Sequence, residues 1–385
     1  MTDSQGMSNS QADKPDTAAA NSTASTDKGS NANANRNAFA NWQPRAGMAQ
    51  ITTLEMHTGG EPLRIITSGF PKLKGDTILA KRQDCLANHD ELRRALMFEP
   101  RGHADMYGAL IVEPERAGSD FGVLFLHNEG YSSMCGHAII ALSKAAVEAG
   151  VIEANEGVNP LRIDAPAGLI HSWVTVTGGK VSHIEFDNVP SWLAQADISL
   201  QVAGIGEVSV DLAYGGAFYA YVDADAIDLR LEPDNTNQII DWGKRIKAAV
   251  IACEDPRTAT VHPLEADLSF LYGVIFTSQR QKTHSGSHSR HVCIFAEGEL
   301  DRSPTGTGVS GRAAIEYARE RLQTGERLQI ESILGSPFTV TATCQTDFAG
   351  IAALNTRVAG TAHVIGQHSF YLDGADPLNT GFIFR

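Results

Sequence analysis

The first 50 residues of this chain contain no valine, isoleucine or leucine. Residues 1–46 consist mainly of Ala, Asn, Ser, Thr, Asp and Gln, with scattered charges of both signs. Such a segment cannot bury enough apolar surface to offset the entropy lost on ordering, so we predict a disordered tail over residues 1–46. The segment also lacks an apolar run flanked by basic residues, which argues against a secretory signal.

Cysteine and basic residues are scarce in the chain as a whole. There are five cysteines and no Cys-x-x-Cys pair, which argues against a disulfide framework and a zinc ribbon. Asp and Glu outnumber Lys and Arg by 45 to 31, and the net charge of −14 argues against nucleic acid or an anionic membrane as partner. No apolar run is long enough to span a bilayer. These absences favour a protein of the reducing cytoplasm.

The remaining part, about 340 residues, is too long for one ordinary core, so two domains are expected. Runs rich in β-branched and aromatic residues predict strands along most of it. Two strong helix patterns, Ala138–Ala149 and Gly308–Gln323, each follow a strand and a Glu-Gly pair. This shared context indicates an internal duplication, with a site between the two halves of an α/β chain. The irregular, β-rich order argues against a wholly parallel sheet.

The two predicted helices begin differently. The first follows the tetrapeptide MCGH at residues 134–137, and the second follows SPTG at residues 303–306. A helix N-terminus favours an anion, so Cys135 is expected to be a reactive thiolate, whereas the Thr305 hydroxyl stays protonated. The alternative for Cys135 is a buried structural cysteine, which is the commoner case. If both residues face one substrate, only Cys135 can take a proton from it.

Three other patterns permit more than one interpretation. Residues 306–311 (GTGVSG) match the glycine fingerprint of dinucleotide-binding proteins, but residues 298–305 separate this fingerprint from the preceding strand. More generally, such glycines bring backbone N–H groups close to an anion. Asp301 is either a turn residue or a partner for a cationic nitrogen. The histidines of residues 284–291 could ligate a metal, but they lie among Ser and Gly without an acidic or cysteine partner nearby, which favours a flexible surface loop and no metal site.

The folded part of the chain resembles the proline racemase family, which also contains hydroxyproline epimerases and trans-3-hydroxy-L-proline dehydratases. MCGH followed by DRSPxGTG is a specific signature of that family. The matching stretches lie between residues 50 and 385 and are Met56–Leu63 (MHTGGEPL), Gly102–Gly108 (GHADMYG), Asn128–Ala138 (NEGYSSMCGHA), Tyr214–Tyr219 (YGGAFY), Asp301–Gly308 (DRSPTGTG) and Ser332–Phe338 (SILGSPF).

The resemblance implies an α/β fold (α+β-like), similar to that of diaminopimelate epimerase. Two pseudo-symmetric lobes would each wrap mixed β-structure around a central helix. The first lobe would cover residues 47–190, with residues 355–385 returning to it, and the second would cover residues 191–354. No cofactor is implied. By resemblance, Asp301 and His137 surround the ring nitrogen of the substrate, and its carboxylate is held by Gly136, His137, Gly306 and Thr307.

The chain departs from the racemases and epimerases of the family at Thr305. Those enzymes carry a second cysteine at this position. The Cys/Thr combination resembles the dehydratases. Inversion at Cα needs a base on one ring face and an acid on the other, and a threonine hydroxyl is a poor acid. In trans-3-hydroxy-L-proline the α-hydrogen and the 3-hydroxyl share one face. We therefore predict a hydro-lyase that forms Δ1-pyrroline-2-carboxylate, with Cys135 abstracting the α-proton.

Several alternatives stay open on the sequence alone. A proline racemase or hydroxyproline 2-epimerase would use Thr305 as its second group. A nucleotide-dependent oxidoreductase built on the glycine fingerprint is more remote, and a non-catalytic amino-acid binding protein is a third option. The sequence does not determine activity on 4-hydroxyproline or proline, the group that protonates the departing hydroxide, the role of the tail, or the oligomeric state, for which a homodimer is one candidate.

Overall fold

The computed structural model describes residues 35–384, which belong to two units: one ends at Ala46 and the other begins at Gly47. In the first unit, helix α1 spans residues 35–40, and its side chains are exposed. The disordered tail predicted over residues 1–46 therefore lies largely outside the described residues. Among the described helices, none is long and apolar enough to cross a membrane.

The second unit is built on one mixed sheet of 18 strands. The first eight are β1 (Ala49–Thr58), β2 (Glu61–Ser68), β3 (Tyr107–Val112), β4 (Phe121–His127), β5 (Tyr131–Ser132), β6 (Gly157–Ala165), β7 (Gly168–Thr177) and β8 (Lys180–Asp187). The others are β9 (Trp192–Val202), β10 (Gly206–Tyr214), β11 (Phe218–Asp223), β12 (Leu271–Ser278), β13 (Ser289–Phe295), β14 (Glu299–Leu300), β15 (Arg327–Glu331), β16 (Pro337–Phe348), β17 (Ile351–Gly360) and β18 (Ala362–Leu372).

The helices of this unit are α2 (Ile78–Asn88), α3 (Asp90–Met97), α4 (Gly136–Glu148), α5 (Thr236–Ala252) and α6 (Gly306–Ala318). The two strong sequence patterns correspond to α4 and α6. Helix α6 ends earlier than predicted, at Ala318, because the chain turns into a positive φ of 59° at Glu320. Both helices begin directly after the residues on which the sequence argument centred, Cys135 and Thr305.

The strand pairings of the first half recur in the second. Strand β2 pairs in parallel with β3, and β4 with β6, just as β11 pairs in parallel with β12 and β13 with β15. Antiparallel ladders β6–β7–β8 and β15–β16–β17 follow, and β8 pairs with β17 to join the halves. Strand β18 pairs with β1, beside the first half. This mixed, duplicated architecture confirms the predicted fold class, while the exact lobe boundaries remain a prediction.

Helices α4 and α6 lie at the centre of this sheet. Helix α4 packs on β1, β7 and β8, and α6 packs on β10, β16 and β17. Ile139 and Ile140 of α4 share one apolar core with Val309 and Ile315 of α6, and all four are fully buried. Burying such side chains contributes about 1.5–3 kcal/mol each, so the positions of the two helix starts are held firmly. Helix α5 packs on the sheet in a second apolar core, and helices α2 and α3 pack on it in a third.

Candidate active site

The N-termini of α4 and α6 are in contact through their first glycines, Gly136 and Gly306. A Cβ added to Gly306 would lie 2.6 Å from the Cα of Gly136, and a Cβ on Gly136 would lie equally close to Gly306. The first N–H groups of a helix have no carbonyl partner within it, and they carry the positive end of the helix dipole. Two such ends in contact make an anion site, for which a carboxylate is a suitable ligand.

A small cavity lies at this junction, between the helix starts and strands β12 and β13. Its volume is about 20 Å³, which is room for about one water molecule. Every residue that the sequence analysis assigned to the site lines it: Cys135, Gly136, His137, Asp301, Thr305, Gly306 and Thr307. The fold thus brings together residues that are 170 positions apart, and their individual roles remain proposals.

Cys135 caps the N-terminus of α4 and is only 5% exposed. Its Sγ lies 3.2 Å from the Nδ1 of His137. Burial raises the pKa of Cys135 well above that of a free thiol, the Ala138 N–H partly opposes this rise, and the nearby carboxylate of Asp301 adds to it. The prediction that the helix dipole makes Cys135 a thiolate is therefore wrong for the site as it stands, because desolvation outweighs the dipole.

His137 is a proton acceptor within reach of this thiol. Burial lowers the pKa of His137 to about 4, although Asp301 and a hydrogen bond with the Pro62 backbone oppose the shift. Proline offers only a carbonyl, so a ring N–H of His137 donates to it, and the neutral imidazole keeps one ring nitrogen that can accept a proton. The neutral thiol and neutral imidazole can become a thiolate and an imidazolium by moving one proton, with Asp301 stabilising the imidazolium.

The low pKa of His137 predicts a pH-dependent stability. Between about pH 6.5 and pH 4 the unfolded chain binds more protons than the folded protein. The contribution of neutral His137 to the free energy of unfolding is therefore lost as the pH falls through this window. We expect the free energy of unfolding to fall from pH 7 to pH 4 by up to about 3 kcal/mol more in the wild type than in His137→Asn. Urea unfolding at pH 7 and pH 4 measures this difference.

His183→Asn is the control, because His183 is exposed. It should show the same pH dependence of the free energy of unfolding as the wild type. The same pH dependence in His137→Asn would contradict the lowered pKa of His137.

Thr305 caps α6 with a φ of +66°, a conformation that β-branched residues rarely adopt. Its Oγ1 donates to Oδ2 of Asp301 at 2.7 Å, and its N–H donates to Oγ of Ser303 at 3.1 Å. The Ser303 N–H in turn donates to Oδ1 of Asp301 at 2.7 Å. These hydrogen bonds maintain the strained backbone conformation of Thr305, which costs on the order of 1–3 kcal/mol. Since the Thr305 hydroxyl already donates to Asp301, it presents only lone pairs to the cavity.

Strands add further polar groups that the sequence analysis did not assign to the site: Tyr107 on β3, Tyr219 on β11, Tyr272 on β12 and Cys293 on β13. The hydroxyl of Tyr219 hydrogen-bonds Oγ1 of Thr307 at 2.7 Å. Tyr107 and Tyr219 stand inside two of the family motifs, which was an available signal. No sequence pattern distinguished Tyr272 or Cys293, because their place in the site depends on how the strands pair.

Glu61, which lies in the motif MHTGGEPL, also belongs to the surroundings of the site, although the sequence analysis gave it no individual role. It is fully buried, and its Oε2 accepts from the Arg302 N–H at 2.6 Å. Burial raises the pKa of Glu61 well above that of a free carboxyl, and the charge of Asp301 raises it further. Burial therefore favours the protonated form of Glu61, whose carboxyl lies near Asp301.

Two other expectations can be compared with the structure. The segment 284–291 is only partly a surface loop, because Ser289 begins β13 and His291 is fully buried within it. Among residues 35–384 no cluster of three or more potential metal ligands occurs. The glycines of residues 306–311 serve close packing, since Gly306 meets α4 and a Cβ on Gly311 would lie 2.2 Å from Oη of Tyr221.

Comparisons with known proteins agree with the motifs. A family model described as proline racemase matches residues 53–383. A trans-3-hydroxy-L-proline dehydratase from Colwellia psychrerythraea is 52% identical over 350 residues, which cover 90% of this chain and 97% of that protein. A 3-hydroxyproline 2-epimerase from Burkholderia multivorans is 43% identical over 335 residues, covering 87% and 98%. A solved hydroxyproline epimerase from Agrobacterium vitis, with bound trans-4-hydroxy-L-proline, has a TM-score of 0.80 and 30% identity, covering 89% and 97%.

Proposed function

The chain belongs to the proline racemase family, and on that premise we propose that it dehydrates trans-3-hydroxy-L-proline to Δ1-pyrroline-2-carboxylate without a cofactor. One observation carries the proposal: Cys135 and Thr305 are the N-cap residues of two helices that abut, so the two caps supply one ionisable group where inversion would need two. The dehydratase from Colwellia psychrerythraea, at 52% identity, supports the same substrate.

The substrate carboxylate is proposed to bind where the two helix starts meet. The N–H groups of Gly136, His137, Gly306 and Thr307 would stabilise the negative charge that develops on it as Cα loses its proton. Asp301 would hold the ring ammonium, whose positive charge acidifies the α-hydrogen. Since the cavity has room for about one water molecule, the surrounding strands and side chains must move apart to admit the ring.

Proton abstraction is assigned to Cys135. The charge of Asp301 disfavours the Cys135 thiolate, and binding of the substrate's ring ammonium would offset this charge. His137 can then accept the thiol proton. The thiolate then takes the α-proton, the C2=C3 double bond forms, and the C3–O bond breaks on the same ring face. The enamine released, Δ2-pyrroline-2-carboxylate, tautomerises to Δ1-pyrroline-2-carboxylate in solution.

The test is an activity screen over trans-3-, cis-3- and trans-4-hydroxy-L-proline and L-proline. Pyrroline formation and optical rotation are followed in the same samples. We expect pyrroline from trans-3-hydroxy-L-proline alone, with no inversion of the other three. Appearance of D-amino acids without pyrroline would refute the dehydratase assignment.

Replacing Thr305 with cysteine should open a second activity. A thiol in this position supplies the acid or base that inversion lacks, and such a group contributes about 10²–10⁴-fold to a rate. We expect Thr305→Cys to epimerise trans-4-hydroxy-L-proline at least about 100-fold faster than the wild type. Polarimetry measures the rate. Thr305→Ser, which keeps a hydroxyl, is the matched control, and equal rates in the two variants would count against Thr305 as the discriminating residue.

A second candidate function is 3-hydroxyproline 2-epimerisation. The buried Cys293 favours it, because this thiol lines the same cavity and lies next to Thr305. Burial raises the pKa of Cys293 well above that of a free thiol, so it would act as an acid through its S–H. Deuterium incorporated at Cα with inverted configuration, in D2O, would support epimerisation, whereas pyrroline formation supports dehydration.

A cytoplasmic location and a homodimer are parts of this proposal as well. Five cysteines without a bond between any described pair suit a reducing compartment. Sedimentation equilibrium tests the dimer, for which a mass of twice 41.2 kDa is expected.

A further inference from the structure

The phenol of Tyr272 is a buried donor without a partner. The residue is 7% exposed and its Oη is shielded from solvent. The Tyr107 hydroxyl lies close to this Oη, but the pair lacks the geometry of a hydrogen bond, and no other described residue bonds it. The ring lines the cavity that contains Cys135 and Thr305. A buried hydroxyl without a partner is unfavourable, and proteins rarely keep one unless something else binds it.

The other polar side chains around the cavity are already engaged. Tyr219 bonds Thr307, the Thr305 hydroxyl donates to Asp301, and the Cys135 thiol meets His137. The Tyr107 hydroxyl bonds Oγ of Ser132. A substrate hydroxyl that enters the cavity therefore finds one free phenol there, that of Tyr272.

The ring of Tyr272 is held rigidly. It stacks on Phe295 at a centroid distance of 5.4 Å and an interplanar angle of 25°. It meets Tyr219 edge to face at 5.8 Å and His127 at 6.1 Å. Three aromatic neighbours fix the direction of its Cζ–Oη bond, as a group that acts on one substrate atom requires.

The same phenol lies near Cys135. Burial raises the pKa of Tyr272 well above its usual value, as does the charge of Glu299, while the nearby Tyr107 hydroxyl lowers it and Cys135 contributes to the rise. Tyr107 is in turn a neighbour of both Cys135 and Tyr272. The two phenols thus stand on the side of the cavity where Cys135 would take the α-proton, which is also the ring face of the 3-hydroxyl.

From this arrangement we infer that Tyr272 binds the 3-hydroxyl of the substrate and protonates it as the C3–O bond breaks. This inference rests on the proposed dehydration. The electron pair of the Cα–H bond becomes the C2=C3 bond, and the pair of the C3–O bond leaves with oxygen. The Tyr272 proton converts the departing hydroxide to water. The Cys135 thiol, which now carries the α-proton, restores the phenol through the Tyr107 hydroxyl, so no other reactant is needed.

Leaving-group chemistry tests the inference. We expect Tyr272→Phe to dehydrate trans-3-hydroxy-L-proline about 100-fold more slowly, since this is the lower range for loss of a general acid. Chloride leaves without a proton, so elimination of HCl from trans-3-chloro-L-proline should change by less than about threefold in the same variant. Both rates are followed by pyrroline formation. Tyr214→Phe, a buried tyrosine outside this cavity, is the control for loss of a phenol and should leave both rates unchanged.

Each outcome has one meaning. An equal loss with both substrates would show that Tyr272 only supports the structure, and an unchanged dehydration rate would also overturn the inference. Wild-type protein that makes no pyrroline from trans-3-hydroxy-L-proline, yet eliminates HCl with a Tyr272-independent rate, would refute the proposed function itself.

Discussion

Cys135→Ser should reduce the dehydration of trans-3-hydroxy-L-proline by roughly 10²–10⁴-fold, because the variant loses the group that abstracts the α-proton. A serine hydroxyl is a much weaker acid than a thiol, and burial in this cavity, which already raises the pKa of Cys135, would disfavour its anion even more. The variant should fold normally, since serine is nearly isosteric with cysteine.

Initial rates of pyrroline formation measure this loss, and thermal unfolding checks the fold. Cys344→Ser is the control, because Cys344 is exposed and lies outside the cavity. It should retain the wild-type rate. A Cys135→Ser protein with full activity would falsify the assignment of the base, whereas loss in both variants would indicate a general sensitivity to cysteine replacement.

Gly306→Ala should separate the two helix starts. The new Cβ would lie 2.6 Å from the Cα of Gly136, and a backbone atom cannot rotate away as a side chain can. The helix N-termini must therefore shift, and with them the N–H groups that would hold the carboxylate. A displacement of about 1 Å can lower a rate by about 10²-fold, so we expect at least that loss in kcat/KM. Overpacking of this core should also lower the free energy of unfolding by about 1–3 kcal/mol.

Steady-state kinetics and urea unfolding measure the two effects. Gly130→Ala is the matched control, since a Cβ there meets nothing within 4 Å and the residue has no positive φ. The control should lose less than about 1 kcal/mol and keep its activity. If Gly306→Ala bound and converted substrate as the wild type does, the contact between the helix starts would not form the carboxylate site.

Much of the site could be predicted because its chemistry is concentrated at two helix starts. Local signals marked both starts: an apolar run, a preceding glycine and a polar turn. Helices α4 and α6 form where these patterns lie, and the duplicated pairing of strands then brings Cys135 and Thr305 together. The histidine-rich segment shows the limit of such local signals at one boundary, because Ser and Gly predicted a loop up to residue 291, whereas strand pairing begins β13 at Ser289.

The sequence by itself determined which reactive groups the chain has and that only one of the two helix caps is ionisable, since residue identity alone decides whether a thiol or a hydroxyl is present. Only the tertiary structure decided how those groups behave. Burial reverses the shift in the pKa of Cys135 that the helix dipole predicted, and it keeps His137 neutral. Strand pairing alone places Tyr272 and Cys293 beside them. The physical reason is that desolvation and long-range contacts depend on the whole packed environment, which no local stretch of sequence contains.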